Sequence, residues 1–574
     1  MKKLLPFMKK YMKYAVLCPI MMILEVLADI IIPYLMALIV DVGIAGRDVG
    51  YVVKMGIIMI FAALFGMVMG IISSHYGATA GYGFAAEIRK ETFKKVQSFS
   101  FANLDKFSVS SLITRLTNDC NTLGQVAMMS LRMAVRAPFM MIFALIMALR
   151  INAPLAAVFM VTIPLTVALI ALILTKARPL FIKMQSRVDR VNAVIQENLI
   201  GIRVVKSFNR QKHEEMKFKE RNDSLRDTAL KAISIIIFFM PILTLITYAT
   251  IIAVLWFGGK QIVAGTMGSG ELLSFITYIT QILMSLMLLT FFFMQFLRGS
   301  ASAARIAEVL DTETEIVEID NPVMSVKDGS ISFRDVSFSY PLSSEKALKD
   351  INFEINTGET IGIIGSTGSS KSTLIQMIPR LYDVTDGSVA VGGIDVRNYH
   401  LKTLRDKVAF VLQKNVLFTG TIRENMKWGN ENATDEQIIS ALRQSQAWEF
   451  VSAYDDGLDH KVEQGGDNFS GGQKQRLTIA RALIKLPKIL ILDDSTSAVD
   501  MTTDAKIQRA FRSELSDITV IIIAQRISSI QHADRIIVMN EGKIEATGNH
   551  EELIVNSPIY REIYESQQKG VVGQ

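Results

Sequence analysis

The sequence predicts a chain in two parts: an α-helical transmembrane region of six long helices, then an α/β domain built round a phosphate-binding loop. Three observations carry this expectation. Half of the 574 residues are hydrophobic and only 20% are charged. Six apolar runs within the first 300 residues reach the length of about 20 residues needed to cross a bilayer. From residue 331 onward short apolar strands alternate with helical stretches, and residues 365–373 read GSTGSSKST.

The predicted spans fall at 15–40, 54–79, 133–151, 155–175, 233–257 and 272–296. Lys2, Lys3, Lys9, Lys10 and Lys13 precede the first, so the positive-inside bias places the N-terminus in the cytoplasm. An even number of spans returns the chain to the same side. The first apolar stretch is longer than a signal-peptide core and no small-residue cleavage site follows it, so an uncleaved span is expected. Spans three and four are joined by little more than Asn152, Ala153 and Pro154, a tight external hairpin.

Residues 80–132 and 176–232 are long, carry both charge signs and show helical periodicity, as at Glu87–Glu91 and Lys212–Glu215. Structureless loops of that length are uncommon. The expectation is that these helices leave the membrane and present short turns to a cytoplasmic partner. Within the spans, Glu25 and Asp29 lie four apart and share a helix face, as do Arg132 and Arg136. Such groups pair with one another or line a wet cavity, and the sequence leaves both readings open.

Composition narrows the function classes. The net charge of +6 belongs to lysine and arginine flanking the spans, and no basic-aromatic cluster suggests a nucleic-acid partner. The two cysteines, Cys18 and Cys120, offer no disulfide or metal framework. The predicted domains are a transmembrane region at 1–300, a polar, acidic linker at 301–330 and a nucleotide-binding domain at 331–574.

The loop at 365–373 follows an apolar strand at 360–364 and precedes a helix beginning near 374. In that arrangement backbone N–H groups cradle phosphate, the lysine reaches the terminal phosphates and a hydroxyl binds magnesium. Lys371 and Ser372 fill the last two roles, while Ser370 stands where the motif has glycine. Further motifs follow in order: Gln413 after a strand at 408–412, FSGGQ at 469–473, ILILDD at 489–494, SAVD at 497–500, and Gln525 after a strand at 519–524. Tyr340 lies about 25 residues before the loop.

FSGGQ combined with ILILDD makes the chain resemble ATP-binding cassette (ABC) exporter half-transporters along essentially its whole length. The resemblance implies an α-helical transmembrane domain of that exporter type, followed by an α/β P-loop NTPase domain with a helical subdomain. It also implies coupling turns near 101–107 and 209–217. Tyr340 would stack on adenine. Gly365, Gly368 and the amides of Ser369, Ser370, Lys371 and Ser372 would wrap the β-phosphate, with Ser366, Thr367 and Thr373 completing the loop. Ser372, Gln413 and Asp493 would hold Mg2+, directly or through water. Ser470, Gly471, Gly472 and Gln473 would cap ATP bound to the opposite subunit, so a closed site needs two chains.

Three departures from the family pattern fall in one nucleotide site. Asp494 occupies the position of the hydrolytic glutamate, and the lost methylene retracts its carboxylate by roughly 1.5 Å. Gln525 occupies the switch histidine position and cannot carry charge. Ser370 adds a side chain to the loop, which either adapts or grips nucleotide less well. The pattern resembles the degenerate-site subunit of a heterodimeric, ATPase-coupled exporter. Its partner would carry glutamate and histidine and an altered signature. Cargo would be small amphipathic or hydrophobic compounds, drugs among them, crossing a plasma membrane with both termini cytoplasmic. Two other readings fit the same residues: a regulatory nucleotide-binding membrane subunit, and a slow homodimeric exporter of lipid or peptide.

Overall fold

The computed structural model describes the backbone of residues 2–341, 343, 345–495, 499–514 and 517–572. The chain divides into two compact units. One comprises Met1–Gln97 and Val109–Asp311; the other comprises Ser98–Ser108 and Thr312–Gln574.

In the first unit, six helices among the described residues are long and apolar enough to cross a membrane. They contain α1 (Met12–Leu38), α2 (Val49–Gln97), and, beyond the short α3 (Phe101–Asp105) of the other unit, α4 (Cys120–Ile151). Then come α5 (Phe159–Ile200), the short α6 (Ile202–Ser207), α7 (Gln211–Val263) and α8 (Ser269–Asp311). An α-helix pairs most of its backbone polar groups internally, the condition for crossing hydrocarbon; Pro19, Pro33, Pro138, Pro164, Pro179 and Pro241 interrupt that ladder within these helices.

Close approaches between these helices are made at glycine. Gly66, Gly70 and Gly77 of α2 face Ala28, Glu25 and Cys18 of α1, and Gly81 of α2 lies against Gly124 of α4. Small residues let helix backbones approach where no hydrophobic drive exists between helices in lipid.

The second predicted turn, near 209–217, is met only at its first residue. The break comes at Gly201, which caps α5, and the chain turns again at Asn209, whose φ of 53° is left-handed. Residues 211–217 instead open α7, because a run rich in Lys, Glu and Met is a strong helix former. Helix α8 also continues past residue 300 to Asp311. Ala303, Ile306 and Val309 are buried there at threefold spacing, the mark of a packed helical face.

The second unit is α/β. A four-stranded antiparallel sheet has the order β2 (Leu348–Ile355), β1 (Ile331–Phe338), β4 (Asp386–Val391), β5 (Ile394–Asp395). A six-stranded sheet has the order β12 (Lys543–Gly548), β11 (Arg535–Asn540), β3 (Thr360–Gly365), β10 (Thr519–Ile523), β9 (Ile489–Asp493), β6 (Val408–Val411). All its pairings are parallel except that of the edge strand β12. Strands β9 and β10 are buried at every position, as expected of parallel strands covered on both faces. A two-stranded ribbon, β7 (Gly420–Thr421) with β8 (Lys461–Val462), stands apart. Between β6 and β9 lie the helices of the subdomain, Ile422–Lys427, Asp435–Gln444, Trp448–Val451 and Gly471–Leu483.

Candidate functional site

Parallel α/β sheets place ligands beyond the C-terminal ends of their strands, and the predicted residues collect along that edge. Strand β3 ends at Gly365, where a Cβ would collide with the carbonyl oxygen of Met539 on the neighbouring β11. Ser366, Thr367 and Gly368 are exposed, Gly368 with a φ of 84°, and Ser369 is buried. Ser370 caps the helix α9 (Lys371–Gln376) in a left-handed conformation, with φ 68° and ψ 27°. The serine therefore takes the backbone shape that favours glycine, and the loop keeps its turn.

Lys371 folds over the loop. Its Nζ donates to the carbonyls of Gly365 and Ser366, both at 2.9 Å, and to Ser369 Oγ at 3.3 Å. Burial lowers its pKa from the usual lysine value, opposed by Asp493 and Asp494. The Ser372 hydroxyl donates to Asp493 Oδ1 at 2.9 Å. Burial raises the Asp493 carboxyl above its ordinary value; the Ser372 hydrogen bond and Lys371 oppose that shift, and Asp494 reinforces it. Two carboxylates thus share the site with one nearby ammonium.

Asp494 follows β9 with a left-handed φ of 49° and is 8% exposed. Its Oδ2 accepts from Gln525 Nε2 at 2.6 Å, so the two departures predicted at the base and switch positions contact each other. Tyr340 is half-buried, its hydroxyl 2.8 Å from Thr373 Oγ1. Gln413 is exposed just beyond β6, and no hydrogen bond among the described residues joins its side chain to Ser372 or Asp493.

Ser470 caps the helix α10 (Gly471–Leu483). Its hydroxyl accepts from the Gln473 amide at 3.3 Å, and Gln473 Oε1 accepts from the Ser470 amide at 2.9 Å. This capping box holds the Gly471 and Gly472 amides at a helix N-terminus, which favours anions. No hydrogen bond among the described residues joins Ser470, Gly471, Gly472 or Gln473 to the loop at 365–373. Ser497 and Ala498 lie outside the described residues.

Two contacts here carry no sequence motif. Gln567, on α11 (Pro558–Val572), donates to the Gln525 carbonyl at 2.7 Å and accepts from the Ile527 amide at 2.9 Å, bracketing the segment expected to act as the switch. Tyr382 donates to Asp105 Oδ2 at 2.7 Å and packs edge-on against both Phe101 and Tyr340. Through Tyr382 and Tyr340 the segment carrying α3 is in continuous contact with the phosphate loop at Thr373. The polar pattern of α3, with Ser100 and Asn103 forming a capping box, marks the turn but not its partner.

Comparisons with known proteins identify the family. The family model for the ABC transporter transmembrane region matches residues 16–286, and the ABC transporter model matches residues 348–497. The uncharacterized ABC transporter ATP-binding protein YfiB of Bacillus subtilis is 39% identical over 567 residues, covering 99% of this chain and 98% of the relative. An ATP-dependent lipid A-core flippase of Syntrophus aciditrophicus is 31% identical over 490 residues, covering 85% of this chain and 81% of the relative. A solved bacterial Atm1-family ABC exporter with ATP bound has the same fold, with a TM-score of 0.81 and 22% identity over 97% of this chain and 98% of its own. Six membrane-crossing helices and one ATP-binding domain in a single polypeptide make this a multi-pass membrane protein, and the chain belongs to the ABC transporter family as a half-transporter of the exporter type.

Proposed function

We propose that this chain is the slowly hydrolysing half of a heterodimeric, ATP-driven exporter, and that a second half-transporter supplies the competent catalytic base. The observation that carries the reading is the 2.6 Å hydrogen bond from Gln525 Nε2 to Asp494 Oδ2. A general base must come within about 2.6–3.2 Å of its water. Asp494 is one methylene short of the family's glutamate, and its carboxylate is turned onto an amide that cannot accept a proton. Misplacement by about 1 Å can lower a rate roughly a hundredfold.

Nucleotide binding is supported separately from hydrolysis. Lys371 already reaches across the loop to three oxygens, and the phosphates of ATP would take over that role as acceptors. Ser372 and Asp493 bring hard oxygen donors together beside an excess of negative charge, a set that fits magnesium. Gln413 would join them after moving in from the surface. Bound magnesium would offset charge on the phosphate oxygens. The capped N-terminus of α10 would serve the partner's nucleotide.

The basic N-terminal segment supports a cytoplasmic nucleotide-binding domain. Amphipathic cargo is in keeping with the lipid A-core flippase among the relatives. The test is phosphate release by the purified chain, alone and co-purified with a second half-transporter. The expectation is slow turnover alone, and a gain approaching a hundredfold at this site in the double variant Asp494→Glu, Gln525→His. Robust turnover by the unmodified chain alone would overturn the heterodimer.

A further inference from the structure

Helix α11 packs on the α/β unit through one face. Tyr560 is fully buried, and Ile563 and Tyr564 pack against the same apolar cluster as Ile527 and Ile530. The Tyr560 hydroxyl lies 2.7 Å from His550 Nδ1, which anchors the start of the helix. Positions 560, 563, 564 and 567 form one helical stripe, and an apolar side chain at 567 would continue it. The sequence has glutamine there instead.

That glutamine meets a stretch of backbone that has left its sheet. Strand β10 ends at Ile523, and the Ala524 amide makes the last bond to β3, onto the Ile363 carbonyl at 3.2 Å. Beyond it, Gln567 Nε2 donates to the Gln525 carbonyl at 2.7 Å and Gln567 Oε1 accepts from the Ile527 amide at 2.9 Å. Neither backbone group has another hydrogen bond among the described residues, and Ile527 is buried. Buried amides without a partner are rare in native proteins, and one side chain meets both needs here. The far end of the segment is tied separately: Ser529 Oγ donates to Asp504 Oδ2 at 2.6 Å, on the helix Met501–Glu514. From this held segment the Gln525 side chain reaches Asp494 Oδ2 at 2.6 Å.

We propose that Gln567 is the positioning residue for Gln525, and that through it the C-terminal helix sets how the nucleotide site meets a γ-phosphate. The second half of this inference rests on the reading of Gln525 as the switch residue. The two hydrogen bonds flank Arg526, so they set the direction of the peptides on either side of it. The bond from Cα to Cβ of Gln525 follows that direction. Packing of α11 does not need the glutamine, since Tyr560, Ile563 and Tyr564 carry the apolar contact. A role confined to packing would weaken every nucleotide alike. A positioning role weakens only the nucleotide that carries a γ-phosphate, because the Gln525 amide has N–H donors to offer that group.

The test is equilibrium binding of AMP-PNP, which carries a γ-phosphoryl group and resists hydrolysis, and of ADP to the full-length protein in detergent. Displacement of trinitrophenyl-ATP reads both affinities. Gln567→Met keeps an unbranched side chain of similar length and removes both hydrogen bonds. It should lower the preference for AMP-PNP over ADP by roughly threefold to tenfold, with ADP affinity held within about twofold. Amide exchange in peptides covering 525–530 should rise by roughly tenfold. Gln525→Ala should lower the preference to a similar extent. Adding Gln567→Met to it should change the preference by less than about 1.5-fold, the non-additivity of residues that act through one another. Gln568→Met, the next residue on the helix, should change neither measurement. If Gln525→Ala lowers the preference, then an unchanged preference in Gln567→Met, an equal loss for both nucleotides, or full additivity would overturn the proposal. If Gln525→Ala leaves the preference unchanged, the switch reading fails and amide exchange alone judges the positioning of Gln525. Raised exchange in Gln567→Met would then uphold it, and unchanged exchange would sink it.

Discussion

Ser370 shows how a single side chain tests the phosphate loop. It stands where the loop motif has glycine, and it adopts a left-handed φ of 68°. Holding a residue with a Cβ there costs roughly 1–2 kcal/mol, which the turn between β3 and α9 must impose from both sides. Ser370→Gly relieves that strain but also loosens the unfolded chain, which opposes the gain by roughly 0.4–1 kcal/mol. The expected net change is a stabilisation between zero and about 1.6 kcal/mol. Ser370→Val, with branching at Cβ, is expected to destabilise by about 1–2 kcal/mol. Urea unfolding of the full chain, followed by a signal from the α/β unit, distinguishes the two. If valine is tolerated as well as glycine, the backbone at 370 is not left-handed in solution.

Among the elements, α3 and the strand-loop-helix around Lys371 are linked by two tyrosines, and the link can be cut at one atom. Tyr382→Phe keeps the ring against Phe101 and Tyr340 but removes the donor to Asp105. A hydrogen bond to a charged group contributes about 1.5–3 kcal/mol. Loss of it should raise amide exchange across residues 98–108 by roughly tenfold to a hundredfold. ATP affinity should change by less than about twofold, since Tyr340 and Thr373 keep their contact. Unchanged exchange would mean that apolar packing alone holds α3. This link was not legible in the sequence, and the reason is distance along the chain: Asp105 and Tyr382 are 277 residues apart and belong to no motif. The same holds for Gln567 at the switch segment and for the choice of Arg136 over Arg132 as partner of Glu25 and Asp29. Legible features were those that local sequence dictates, such as hydropathy of spanning length or a strand running into a glycine-rich turn. The second turn was drawn too far along the chain, from Asn209 into α7, because charge marked the region while the earlier break at Gly201 carried none.

For the whole molecule, the decisive question is which chain's residues complete which site. This polypeptide has one phosphate loop, at 365–373, and one signature helix, capped at Ser470. The two motifs make no hydrogen bond with each other among the described residues. If the nucleotide sites form between two chains, Lys371 and Ser470 of this chain serve different ATP molecules. In a heterodimer whose partner carries the competent base, the variants therefore act unequally. Ser470→Arg places a bulky cation at the N-terminus of α10, where the capping hydroxyl and adjacent amides would meet the partner's γ-phosphate. Loss of such preorganised donors typically costs about 2.7–4 kcal/mol of barrier, a hundredfold to a thousandfold in rate. Lys371→Ala disables only this chain's slow site, so the complex should keep most of its phosphate release, within about fivefold. A homodimer predicts the opposite symmetry, because each site would then contain both residues and either substitution would abolish turnover. Steady-state phosphate release by the purified complex, measured for the two variants side by side, decides between them. Equal losses would assign this chain to a homodimer, and a larger loss from Lys371→Ala would place the productive site on this chain's own phosphate loop.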